Sequence, residues 1–372
     1  MENLVFIKTF PFSLWLLMLI TVCGYGIITG RFKVQIRDSQ SYSRDIPNPF
    51  VFWVTTLLLA WFAGNIFAND VYIYRYNYYS QPTELDWGEL WKDGLGGNPL
   101  FNIIQWVSRR FITSNPATFQ LLWIGTAQIL FMLTYRRYSV SMPLTIMMFI
   151  ASGLFYFTAV SWKQSMAMAI GFAATPLALD RKWFVYYSIL LITATIHPYI
   201  VMFGILPLFI SPKIWTKKSI LLLVAMLIAG MALSSIMGTA LEVTADVFGD
   251  RHNAEWFTEG YGVRPERVIF YAICPILAVI YRKRLDEFSN PIMNAMIQMS
   301  VISFCFMAMS VGGGANFISR MGNYFEPYTY IALPYILLKI TPDRSRKMIL
   351  WSVVIIYLVF FTFLQLKRGS IW

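Results

Sequence analysis

The chain has 372 residues, of which 57% are hydrophobic and 13% charged, and its mean hydropathy is +0.56. A soluble globular chain carries about 45–50% apolar and about 25% charged residues, so a soluble enzyme, a disordered chain and a fibre are excluded. The net charge of +11 reads as basic residues gathered in cytoplasmic loops, and no nucleic-acid partner is expected.

The apolar residues fall in long runs bounded by charge, the pattern of an all-α, polytopic transmembrane helix bundle. In chain order the runs are Phe10–Ile28, Phe50–Phe67, Ala117–Tyr135, Pro143–Ser161, Gln164–Leu179, Trp183–Ile196, Pro198–Ile210, Ser219–Gly238, Val268–Tyr281, Ile292–Val311, Tyr324–Ile340 and Met348–Leu366. Most reach the ~17–25 residues that cross ~30 Å of hydrocarbon, which predicts about 12 spans in one membrane domain over residues 1–372. Trp183–Ile196, Pro198–Ile210 and Val268–Tyr281 are short and are expected to be buried or re-entrant. The first run lacks a basic start and a small-residue cleavage site, so it reads as a span and not as a signal peptide. Cys23, Cys274 and Cys305 all lie in apolar runs, which excludes a disulfide framework and a cysteine metal site.

Alternating spans leave one set of connections with 18 basic and 6 acidic residues, against 12 and 13 on the other side. The basic side is cytoplasmic by the positive-inside rule, and both termini are then extracytoplasmic. Two external loops are large. Residues 69–98 hold Asp70, Arg75 and the tyrosines 72, 74, 76, 78 and 79; residues 239–266 are acidic and polar and contain His252. Pro99–Trp106 is apolar but too short to span, and predicts an interfacial or re-entrant helix.

Ionisable residues at a membrane edge are costly and point to function. Asp70 follows the second run and offers a carboxylate that can deprotonate a hydroxyl or hold a metal. Lys163-Gln164 opens the fifth run, where a lysine joins the N–H groups of a helix start to make an anion site. His197 precedes Pro198 at a helix break and can shuttle a proton near neutral pH. Arg320 follows Gly312-Gly-Gly and precedes Tyr324; glycines admit a ligand to the backbone, and arginine binds phosphate bidentately. Each also has a structural reading: a solvated helix-end carboxylate, a snorkelling lysine, a histidine capping a kink, an arginine at the headgroups. All four map to the outer face. A proton-coupled pump fits less well, because no acid is expected at mid-membrane.

The order of these pieces resembles the EpsG family of exopolysaccharide polymerases, a Wzy-like group of bacterial membrane proteins. The likeness rests on Asp70 with its tyrosine-rich stretch, on Asn98-Pro-Leu-Phe-Asn-Ile-Ile, and on Ser152-Gly-Leu-Phe followed by Lys163-Gln164-Ser-Met-Ala-Met-Ala-Ile. It continues in Arg181-Lys182 with Thr193-Ala-Thr-Ile-His197-Pro-Tyr-Ile-Val. It ends in Ser319-Arg320-Met-Gly-Asn-Tyr324-Phe325 with Leu333-Pro334, so it runs from about Phe50 to Lys339. Two departures stand out: Asn98 replaces a frequent glutamate, and Lys163 a frequent arginine, which keeps the charge but not the fork.

The resemblance implies a GT-C-like architecture in the bacterial cytoplasmic (inner) membrane. It implies polymerisation of lipid-diphosphate-linked oligosaccharides at the outer face, in exopolysaccharide, capsule or O-antigen synthesis. The partners are then a polyprenyl-diphosphate-linked donor and acceptor, membrane lipid, a chain-length regulator and a flippase. Asp70 or His197 takes the acceptor proton, and Lys163, Gln164, Arg320, Tyr324 and Arg75 bind substrate. No metal or other cofactor is expected. Two alternatives stay open: a GT-C single-transfer glycosyltransferase or ligase, and a non-catalytic flippase or exporter of lipid-linked glycan.

Overall fold

The computed structural model describes residue 21 and residues 34–37, 43–68, 70–82, 84–235, 263, 265–288, 290–311 and 315–371. The run Phe10–Ile28, the Gly312-Gly-Gly segment and His252 lie outside the described residues. A hairpin of β1 (Val34–Arg37) and β2 (Ser43–Ile46) pairs antiparallel with Val34 opposite Ile46. It is a β element that the all-helical expectation did not include. Alternating Val34 and Ile36 suit a pleated strand.

The rest is helical. In chain order come α1 (Pro49–Gly64), α2 (Val71–Tyr79), α3 (Trp87–Trp91), a 3₁₀ turn at Gly94–Gly97, α4 (Pro99–Phe111) and α5 (Pro116–Tyr138). Next are α6 (Met142–Ala151), α7 (Leu154–Val160), α8 (Trp162–Ala173), α9 (Thr175–Leu179), α10 (Trp183–Ala194) and a 3₁₀ helix, Pro198–Phe209. The chain ends with α11 (Lys217–Ser235), α12 (Pro265–Ile280), α13 (Arg282–Phe288), α14 (Pro291–Met309), α15 (Ala315–Tyr335), a π-helical turn at Ile336–Ile340 and α16 (Asp343–Ile371).

Among the described residues each apolar run after the first lies mostly on helix, but runs and single long helices do not correspond one to one. Among the described residues three helices are long and apolar enough to cross a membrane, α5, α14 and α16. The α6–α7 pair adds a fourth if its 64° bend belongs to one span. The chain is thus a multi-pass membrane protein. The helices break or tighten for physical reasons. The bend falls at Gly153, whose φ of 89° is a left-handed conformation that glycine adopts freely. The break between α8 and α9 precedes Pro176, which has no N–H to continue the helix. The 12 residues of the 3₁₀ helix rise 2.0 Å each and so extend about 24 Å.

Several helix starts are written locally. Asn48, Asn115 and Asn290 each stand before a proline, and each side chain accepts a hydrogen bond from a backbone N–H of the first turn. Proline at the first position loses nothing, and such a cap contributes about 1 kcal/mol.

The chain packs as two compact units. One comprises Met1–Tyr79, Asn115–Ser165 and Leu333–Trp372; the other comprises Ser80–Ser114 and Met166–Ala332. In the first, α1 and α5 make the closest approach. Gly125 faces Ala60, and a Cβ on Gly64 would stand 2.8 Å from the Cα of Leu121. Small residues that let backbones meet replace the hydrophobic drive that lipid does not supply. Gly64→Ala is therefore expected to destabilise the protein by about 1–3 kcal/mol, read as a lower unfolding temperature in detergent. An unchanged temperature would refute this close contact.

In the second unit, α14 is the central helix. Ser303 Oγ donates to the Gly322 carbonyl at 2.8 Å, and Thr329 Oγ1 donates to Ser300 Oγ at 2.9 Å. The contacts climb α15 as they descend α14, so the two are antiparallel. The Val263 N–H reaches the Ser310 carbonyl at 3.0 Å, which sets the start of α12 beside the end of α14. The 3₁₀ helix is fixed by Tyr186 Oη and Tyr187 Oη, which donate to the carbonyls of Phe203 and Gly204.

Candidate functional site

The sequence-predicted residues divide into two groups, one in each unit. Asp70, Arg75, Lys163 and Gln164 belong to the first.

Asp70 is exposed and immediately precedes α2, where its carbonyl accepts the Tyr74 N–H at 3.0 Å. It thus starts the helix and keeps its side chain in solvent. Arg75 turns back into the unit. Its Nε donates to Gln120 Oε1 at 2.8 Å, and its guanidinium lies over the Phe67 ring, 4.7 Å from the centroid. Gln120 donates in turn to the Ile66 carbonyl at 2.6 Å. Burial pulls the Arg75 pKa below its ordinary value. The tyrosines of α2 split by face: Tyr78 is buried, while Tyr72, Tyr76 and Tyr79 are each more than 60% exposed. Their spacing of four and three residues is one helical stripe.

Tyr74 stacks on Trp162 with ring centroids 5.2 Å apart and planes 10° apart. That contact brings the segment of Asp70 and Arg75 against the start of α8, where Lys163 is half-buried and Gln164 buried. Trp162 is held by its own carbonyl, which accepts Trp123 Nε1 at 3.0 Å. Two donors at this helix start, Trp162 Nε1 and Ser165 Oγ, are buried without a partner. Unspent donors beside a lysine suit an anion.

His197, Arg320 and Tyr324 belong to the second unit. His197 sits where α10 ends and the 3₁₀ helix begins, with its N–H on the Thr193 carbonyl at 3.1 Å. The break follows from Pro198, which restrains the preceding residue to extended backbone. Tyr324 Oη lies 2.7 Å from His197 Nδ1. That bond sets the tautomer. If Tyr324 donates, Nε2 carries the proton; if Nδ1–H donates, Nε2 is the base. Arg320 stands one turn before Tyr324 on α15, half-buried and within electrostatic reach of its hydroxyl. The Leu100 N–H at the start of α4 donates to the Thr195 carbonyl at 3.0 Å, so this helix start docks on the turn that carries His197. The segment Pro99–Trp106, expected as an interfacial or re-entrant helix, is helical and belongs to α4, which is apolar along one side and ends in Arg109 and Arg110.

One group corrects the sequence reading. No acid is expected in the interior of an apolar span, yet Glu326 lies near the middle of the 21-residue α15 and is 1% exposed. The hydroxyls of Tyr271 and Tyr330 both donate to its carboxylate. Arg267 stands one turn before Tyr271 on α12, within electrostatic reach of the Tyr271 hydroxyl and of Glu326. Buried charge needs such partners. The missed signal was an acid two residues into the run Tyr324–Ile340, as costly there as the residues that were singled out. Among the described residues no three His, Cys, Asp or Glu side chains group as metal ligands. Cys274 and Cys305 are buried and free.

No curated protein and no solved structure matches the chain. The family model described as EpsG matches residues 49–370, from the first residue of α1 to the penultimate residue of α16. The motifs from Asp70 to Tyr324 all fall within that match, and the chain belongs to the EpsG family.

Proposed function

We propose that this chain polymerises lipid-diphosphate-linked oligosaccharide repeat units at the outer face of the bacterial cytoplasmic membrane, in exopolysaccharide, capsule or O-antigen synthesis. Its family is associated with polysaccharide synthesis. The observation that carries the reading is the His197–Tyr324–Arg320 group, in which Tyr324, one turn beyond the cation Arg320 on α15, is bonded to the ring of His197.

In this reading an acceptor hydroxyl attacks the anomeric carbon of the donor sugar. The bond from that carbon to the diphosphate oxygen breaks, and polyprenyl diphosphate leaves. Arg320 meets the charge that develops on the leaving group. Lys163 and Gln164 offer an anion site at the start of α8, and Arg75 adds positive charge beside α2. Asp70 takes the acceptor proton, and His197, oriented by Tyr324, aligns the diphosphate. The exposed tyrosine stripe of α2 offers ring faces on which sugars stack.

The test is reconstitution of the purified full chain in proteoliposomes with a lipid-linked repeat unit. A ladder of lengthening glycan supports a polymerase. Addition of a single unit indicates a single-transfer enzyme instead. The buried Glu326 favours one further reading, a proton-coupled exporter, since acids inside spans serve relays. That reading predicts pH-driven movement of the lipid-linked glycan with no new glycosidic bond.

The proposed topology has about 12 spans, with both termini outside. Cysteine in place of Arg136, Lys182 or Lys283 is expected to be shielded from an impermeant thiol reagent added outside. Cysteine in place of Asp86 or Glu255 is expected to label. The opposite pattern would refute the outer-face assignment.

A further inference from the structure

We propose that the outward face of α2 is a binding track for the acceptor glycan chain, on which Tyr72, Tyr76 and Tyr79 stack successive sugar rings. The proposal rests on the polymerase reading and deepens it: this face takes the sugars of the growing chain and not the lipid diphosphate.

The first support is the way the nine residues of α2 are divided. One face is spent on packing. Tyr74 stacks on Trp162, Tyr78 stacks on Phe119 with ring centroids 4.5 Å apart, and Arg75 Nε donates to Gln120 Oε1. Phe119 and Trp162 are themselves in contact, with centroids 5.7 Å apart. The helix is thus fixed at several points along its length. The other face carries Tyr72, Tyr76 and Tyr79, all exposed. At about 100° per residue they fall within about 60° of one another, at steps of about 6 Å and about 4.5 Å along the axis. Such steps are close to the length of one sugar unit, and the C–H face of a sugar meets the negative face of an aromatic ring. Tyrosine has few rotamers to lose, so on a fixed helix it gives contact area at low entropic cost.

The second support is the chemistry of the surroundings. A helix that lies on a lipid surface sets Lys and Arg on its polar side and Trp, Phe or Leu on the other. The one basic residue of α2, Arg75, is turned inward onto Gln120 and Phe67. Just ahead of the helix stands the exposed carboxylate of Asp70, which repels anionic headgroups. A neutral polyhydroxyl chain meets no such opposition, and its hydroxyls can bond both the phenols and the carboxylate.

The experiment measures binding of lipid-free glycan to the purified full chain in nanodiscs. The probe is the polymer of the strain that carries this chain, released from lipid by mild acid, cut into a size ladder and end-labelled. Longer fragments should bind more tightly until all three rings are covered. Each Tyr→Leu replacement at 72, 76 or 79 is expected to raise the Kd about 2- to 10-fold, and the triple variant about 10-fold or more. Leucine keeps the apolar bulk, so a face that merely rests on lipid would tolerate it. Tyr→Phe keeps the ring and guards against a folding defect; it should retain most of the affinity. In glycan extension the triple Leu variant should raise the acceptor KM with kcat little changed, and shorten the products. If that variant binds fragments as the wild type does, the face belongs to the membrane surface and the track is refuted, while continued glycan extension keeps the polymerase reading. Equal loss in the Phe and Leu variants would also overturn the proposal, since the rings would then not matter. A wild-type chain that extends glycan but binds no lipid-free fragment removes the track alone; one that does neither removes both readings.

Discussion

Arg320→Ala is expected to lower glycan extension about 10²- to 10³-fold while the protein accumulates normally, the usual loss when one preorganised donor to a developing oxyanion is removed. The reasons are positional. Arg320 is half-buried near the start of α15, one turn from Tyr324, which is fully buried and bonded to His197. A cation set on a helix this well packed is already in place when the diphosphate begins to leave, so it costs no reorganisation. Arg320→Lys should recover only part of the rate, because a point charge does not reproduce a planar fork. The measurement is the glycan length profile of a deletion strain carrying each variant at matched protein level. Full-length polymer from Arg320→Ala would remove this residue from the mechanism.

Asp70→Asn is expected to reduce turnover about 10²- to 10⁴-fold, the contribution of a general base, with donor binding intact. Asparagine keeps the size of the side chain and its hydrogen bonding but removes the basic site. Asp70 is exposed just ahead of a helix whose tyrosines face outward, so its carboxylate is open to an acceptor sugar. His197 is more enclosed and already bonded at Nδ1, which suits orientation of the diphosphate. His197→Gln should therefore cost less, with little change in pH dependence. A wild-type rate that follows one ionisation near pH 6–7, and loses that dependence in His197→Gln, would assign the base to histidine instead. Normal polymer from both variants would leave neither residue catalytic.

Membrane residence, the apolar runs, the helix after the aromatic loop and the family itself were legible in the chain. They rest on local composition and order, and lipid imposes them on each segment separately. The Asn-Pro helix starts at 48, 115 and 290 are equally local. The breaks were only partly legible. Pro198 announces one, whereas the bend at Gly153 and the 3₁₀ form of Pro198–Phe209 depend on how neighbouring helices pack.

Tertiary structure alone decided the partnerships. Tyr324 and His197 are 127 residues apart, and Tyr271 and Glu326 are 55 apart. Residue type shows that Glu326 is an expensive acid, but not which hydroxyls meet it. The same holds for Tyr74 on Trp162, which unites Asp70 with the start of α8. In an all-apolar helix the periodicity that marks a buried face is weak, because lipid and protein interior ask for the same side chains. The sequence therefore determines that each helix forms and lies in the membrane. Which faces touch, and so which polar groups share a site, is settled by small residues such as Gly64 and Gly322 and by long-range hydrogen bonds that no local pattern encodes.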